Sequence, residues 1–182
     1  MTTRIDTKPR AQPAKGSPSG GSSTPRPSAA STPANVAQAQ SDLIAALAQG
    51  VPVAEICQDI AAELERIGPD VRCCVHLGEA ADRLTLVGAA SLPADFQKLC
   101  TDANPPPDAE WTVAAATGRQ PVVVADFAAS PVAAGAQVAL DHGLHACWAQ
   151  PFHSPGGELL GVLPLYFTTA RPPGAGEREA VA

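Results

Sequence analysis

The chain has 182 residues and a formal net charge of −6, and the charge is unevenly spread. In residues 1–34, Arg4, Lys8, Arg10, Lys15 and Arg26 stand against Asp6 alone, a net of +4, so the remainder carries −10. An acidic body of this kind excludes nucleic acid as the main partner, because phosphate binding needs a basic face. No apolar run approaches the roughly 20 residues of a membrane-spanning helix, which excludes a membrane partner of that kind.

Residues 1–34 are rich in Pro, Ser, Gly and Thr, with Met1 and Ile5 their only larger aliphatic side chains. Such a segment buries too little surface to offset its ordering entropy and is predicted to be a disordered basic tail. It carries no apolar stretch of the secretory type, so a cytoplasmic location is expected. In a reducing compartment the five cysteines, at 57, 73, 74, 100 and 147 and without CxxC spacing, are expected as free thiols.

The chain order then reads as follows. Residues 36–49 suit a helix closed by Gly50. "PVAEICQDIAAELERIG" predicts a second helix, with Val53, Ile56, Cys57, Ile60, Ala61, Leu64 and Ile67 forming one apolar stripe. "VRCCVHL" (71–77) and "RLTLVGAAS" (83–91) change to the alternation of an antiparallel hairpin. "PADFQKLC" (93–100) predicts a short helix, and "TDANPPPD" (101–108) a loop, since three successive prolines exclude helix and central strand. "WTVAAATG" predicts a helix ended by Gly118, "QPVVVADF" a buried strand, and "PVAAGAQVALDHG" an Ala-rich helix.

The last hairpin, within "GLHACWAQPFHSPGGELLGVLPLYF", has a second strand apolar on both parities. Leu159, Leu163, Leu165 and Phe167 are expected on one face, and Leu160, Val162 and Tyr166 on the other. A strand apolar on both faces belongs in a sheet covered on both sides. The expected fold class is therefore α+β, a central antiparallel sheet with helices on both faces.

"SLPADF", "TGRQPVVVADFAASP" and "HGLHACWAQPFHSPGGELLGVLPLYF" together resemble the GAF family, relatives of PAS domains, over roughly residues 38–170. The resemblance is to the bacterial signalling type found in sensor kinases and cyclic-di-GMP signalling proteins. Trp148, Gln150 and Pro151 match its Trp-x-Gln-Pro strand; Gly161, Leu165 and Tyr166 match its final strand; Gly118, Arg119 and Asp126 match its middle block. It implies a domain over residues 35–170 that binds an unidentified small molecule between one sheet face and the variable helix–loop segments. The molecule would form a homodimer and signal to an output domain, a kinase or cyclic-di-GMP enzyme, in cis or in trans. Residues 171–182 would begin a C-terminal helix that stops early, as in a fragment or a module acting on a partner.

Some features depart from the family. Its Gly-rich turn is replaced by Ala109, Glu110, Trp111 and Thr112, which leaves the backbone poorly suited to approach a phosphate. Ala149 stands where a Ser is usual, and Pro164 interrupts a central strand, where a bulge is expected. The cysteine pattern of family members that reduce methionine sulfoxide is absent, so no catalytic residue and no enzymatic activity are assigned. Cys74 with His76, and His145 with Cys147 and His153, each share a strand face. In a sheet whose final strand separates them they would lie about 10 Å apart, too far for one zinc ion. A single axial His for haem is the remaining cofactor reading, and the cofactor is otherwise left unassigned.

The candidate ligand-binding residues are Trp111, Phe127, Trp148, Gln150, Phe152 and Tyr166, since small-ligand sites combine aromatic walls with a few polar groups. A ligand between Trp111 and Trp148 would touch both indoles, with Trp111 as a lid. The competing expectation is a degenerate domain with a filled pocket, serving dimerisation and scaffolding. Open space beneath residues 101–119 would favour sensing, and close packing there would favour the scaffold.

Overall fold

Why the chain forms two cores rather than one follows from its sheet. The computed structural model describes residues 50–103, 106–130 and 134–181; the predicted tail and the predicted helix over 36–49 lie outside them. The elements are α1 (Val53–Glu65), β1 (Val71–Leu77), β2 (Thr85–Ala89), α2 (Ala94–Asp102), α3 (Ala109–Gly118), β3 (Val122–Val124), α4 (Ala134–Asp141), β4 (Ala146–His153), β5 (Leu159–Phe167) and α5 (Ala175–Val181). All strand pairs are antiparallel in the order β2-β1-β5-β4-β3. One sheet face packs against α2, α3 and α4 through Phe96, Trp111, Ala139, Tyr166 and their neighbours. The other packs against α1 and the end of α5 through Cys57, Ala61, Trp148, Leu165 and Phe167. This is the expected α+β class, with helices on both faces.

α1 starts where Pro52 supplies a carbonyl that the Glu55 N–H meets at 2.9 Å. Only part of its predicted stripe is buried: Ile56, Cys57 and Ala61 pack inward, while Val53, Ile60 and Ile67 are exposed. The helix rides so closely on β2 that a Cβ at Gly88 would stand 2.5 Å from the Cys57 carbonyl carbon. Polar side chains complete the contact. Gln58 Oε1 accepts the Ala89 N–H at 2.9 Å, and Glu65 Oε1 accepts those of Cys73 (2.8 Å) and Ser91 (3.1 Å).

Three strand expectations need correction. β3 is not a buried strand but a three-residue edge strand, with Val123 42% exposed. In β5, Leu159 packs with Val162 and Tyr166, not with Leu163, and Leu160 is exposed. The cause is a bulge: His153 pairs with Leu159 but Phe152 with Gly161, so Leu160 is an extra residue and the faces swap before it. At Pro164 there is no bulge. Cys73 pairs with Leu165 and His76 with Val162 in one continuous register, and the pairing simply lapses between them. Pro164 supplies no N–H there, and the Cys74 carbonyl receives the Cys73 thiol instead, at 3.7 Å.

Candidate functional site

α3 is anchored by Asp108, whose carbonyl accepts the Thr112 N–H at 3.1 Å and the Thr112 hydroxyl at 2.6 Å. From this start, Trp111, Thr112, Ala115 and Ala116 fall on the buried face. The helix does not end on a left-handed glycine: Gly118 is its last residue, and Arg119 takes the left-handed conformation, at φ 50°. Ala109, Glu110, Trp111 and Thr112 thus form a regular first helical turn where the resemblance suggested a turn rich in glycine.

Trp111 is no lid. It is 2% exposed, its Nε1 donates to the Tyr166 hydroxyl at 3.1 Å, and its ring centroid lies 4.9 Å from that of Phe127. Tyr166 in turn meets the Phe96 ring edge-on at 5.5 Å. The space under α3 is therefore largely filled by aromatic side chains, each contact the tilted or edge-on kind that rings favour.

Beside this cluster lies a buried polar pair that the sequence did not reveal. His76 Nε2, on β1, is 2.9 Å from Asp108 Oδ2, and both side chains are almost wholly buried. The pair sits at ion-pair distance without hydrogen-bond alignment, and among the described residues Asp108 Oδ1 has no well-formed hydrogen bond. Cys74 Sγ lies 3.9 Å from His76 Nδ1. Burial, and after it the Asp108 charge, raises the pKa of Cys74, Cys100, Cys147 and Tyr166 above their ordinary ranges. These thiols stay protonated and are poor nucleophiles. Among the described residues no three His, Cys, Asp or Glu side chains converge as a metal site.

Two hollows flank α3, and Glu110 borders both. The outer one, about 950 Å³, lies among Leu99, Pro106, Pro107, Val113 and Val138. The inner one, about 140 Å³, is walled by Trp111, Phe127, Val122, Val124 and Ala136, with Ser130 at its side.

The six expected lining residues separate into two groups. Trp111, Phe127 and Tyr166 come together on the α3 face. Trp148 and Phe152 lie on the opposite face, and Gln150 joins Phe152 in a groove bounded by Ile60 of α1 and Val181 of α5. No ligand can touch both indoles, because strand alternation sends Cys147 and Ala149 toward Trp111 and Trp148 away from it. Trp148 instead lies 5.9 Å beneath the Arg178 guanidinium of α5.

α5 is clamped by a second charged group. Arg171 binds Asp70 through Nε (2.7 Å) and Nη2 (3.1 Å), reaches Glu177 at 2.8 Å, and covers the Phe167 ring at 4.0 Å. These contacts carry the folded unit past residue 170. Nothing in the sequence pattern marked Arg171; only the return of β5 beside the start of β1 brings it to Asp70.

Comparisons with known proteins agree with this architecture. The pattern of the GAF domain family matches residues 50–181. A methyl sulfide methyltransferase-associated sensor from Methanosarcina acetivorans is 30% identical over 145 residues, covering 78% of this chain but only 14% of that protein. A solved GAF sensor protein from Burkholderia vietnamiensis superposes with a TM-score of 0.56 at 20% identity, covering 87% of this chain and 86% of that one. A type II free methionine-R-sulfoxide reductase from Thermoplasma acidophilum has a TM-score of 0.52 at 14% identity, covering 71% of this chain and 87% of that one. The same fold thus carries sensors and an enzyme, and only the site can separate them. The aromatic face, the sheet order and the match over residues 50–181 lead to one conclusion: this chain belongs to the GAF domain family.

Proposed function

We propose that the chain is a cytoplasmic sensory module that holds a small molecule beside Trp111 and signals through α5 to an output domain or partner, without catalysis of its own. One observation carries the reading. The inner hollow is walled by Trp111, Trp111 is bonded to Tyr166, and the next residue of β5, Phe167, lies under the Arg171 clamp of α5. A ligand that moves Trp111 would therefore act on the strand that seats α5, and a ligand shifts a conformation only through such differential contact. The absence of catalysis is supported by the thiols, every one of which is pushed toward its protonated form by burial. The exposed Val53 and Ile60, seven residues apart on α1, with the exposed Ile67 just beyond its end, suit a homodimer contact.

A second reading has its own observation. Trp111, Phe96 and Tyr166 fill most of the space under α3, as a degenerate domain used only for scaffolding would require. A thermal-shift screen of metabolites, haem and nucleotides, followed by fluorescence of the unaltered chain and of a Trp148→Phe protein, the difference between them reporting Trp148, separates the two. A ligand that raises the melting temperature and also changes Trp148 emission supports sensing through α5. No binding across the screen supports the scaffold, and binding that leaves Trp148 unchanged counts against the route through α5.

A further inference from the structure

We infer that the hollow beside Trp111 takes an uncharged single-ring aromatic molecule, of the size of benzene or phenol. This rests on the sensory reading above and names its ligand class. Size decides first. The hollow measures about 140 Å³, whereas sites for drug-sized ligands run from about 300 Å³ upward, and an apolar cavity of about 150 Å³ holds one benzene. A nucleotide, a tetrapyrrole or a bilin does not fit in that space.

The walls decide the chemistry. Trp111 and Phe127 present two rings inclined at 37°, an open angle against which a third ring can pack. Val122 and Val124 come from β3, and Ala136 of α4 is 3% exposed and leaves room by its small side chain. The polar residues at its border are Ser130 and Glu110, whose exposed position puts a negative charge near the entrance. A carboxylate accepts hydrogen bonds and repels anions, so a phenol or aniline substituent is admitted there and a benzoate is refused. Two of its walls come from the short strand β3, which ends the sheet among the described residues.

The test uses the full chain carrying Trp148→Phe, so that emission comes from Trp111 alone. Benzene, phenol and benzoate are titrated separately, with excitation beyond phenol absorption. Saturable changes with benzene and phenol, and none with benzoate at equal concentration, are the expected result. Ala136→Leu should weaken the phenol response about tenfold or more, and Val122→Phe, at the sheet edge, provides a second filling variant should the first not fold. An unchanged response in a folded filled variant overturns the site. No response to either neutral ring overturns the ligand class. If a metabolite from the screen still alters the Trp148 contribution, read as the difference between the unaltered chain and the Trp148→Phe protein, the sensory reading survives that failure. Neutral rings that bind at Trp111 without any change at Trp148 support the ligand class and count against the signalling route.

Discussion

Removing the Asp108 carboxylate should be among the most damaging single changes to this domain. In Asp108→Ala, His76 loses the one charged group within 2.9 Å while remaining almost wholly buried. Leaving a buried polar group without its partner costs about 1–3 kcal/mol, and more where the group is charged. Against a typical total of about 5–15 kcal/mol, that is a substantial share of the stability. His76→Leu should cost a similar amount, since the buried Asp108 carboxylate then keeps only the Cys100 thiol beside it. The double variant His76→Leu/Asp108→Leu should lose clearly less than the sum, because neither orphan then remains. Urea denaturation followed by far-UV circular dichroism gives all three values, provided the slope with denaturant is constant. Single variants costing under about 1 kcal/mol, or a strictly additive double variant, would refute the assignment of this pair as a coupled buried unit.

Other changes should act on separate parts of the molecule. The Arg171 hydrogen bond holds the Asp70 carboxyl below its usual range, and Arg171 also holds Glu177 low although burial opposes it. Both groups bind protons less readily folded than unfolded, so their contribution is present above the unfolded value near pH 4 and is lost as pH falls through the folded values. Trp148 emission should accordingly shift in acid as α5 loosens, and Arg171→Ala should remove most of that pH dependence. Gly161→Ala would place a Cβ 2.1 Å from the His76 carbonyl oxygen, and calorimetry should show a loss of about 1–3 kcal/mol or more from overpacking. Arg119→Gly should stabilise by up to about 1 kcal/mol by relieving the left-handed conformation at φ 50°; a lower melting temperature would show that the Arg119 side chain does more than its backbone suggests.

Much of the fold was legible because hydrophobic period reports local structure directly. β1 spans Val71–Leu77, as its alternation indicated, and α1 lies inside its predicted limits. What failed depended on position in the sheet. "VVV" reads the same in a central strand or at an edge, and only its lack of a second neighbour exposes Val123. The bulge at Leu160 follows from pairing with β4, which no residue type in β5 announces. The candidate site was half legible for the same reason. Trp111, Phe127 and Tyr166 do converge, whereas Trp148 belongs to the other face, because a strand motif does not say which helices cover which side. Asp108 was invisible as a buried partner: it follows three prolines in a segment that reads as solvent-facing loop, yet its side chain is 1% exposed.

The lapse at Pro164 bears on how the molecule breathes. Sheets usually fray inward from their borders, the central strands yielding last. Here the middle junction is itself weakened, because β1 meets β5 in two short stretches, Val71–Cys73 and His76–Leu77, while β4 holds β5 along nearly its whole length. A slow opening motion would thus divide the protein between β1 and β5, carrying away β2, β1 and the helix stitched to them by Gln58 and Glu65. His76 would travel with one half and Asp108 with the other, so the buried pair straddles the line of parting together with the Asp70–Arg171 pair, and both must break for that motion.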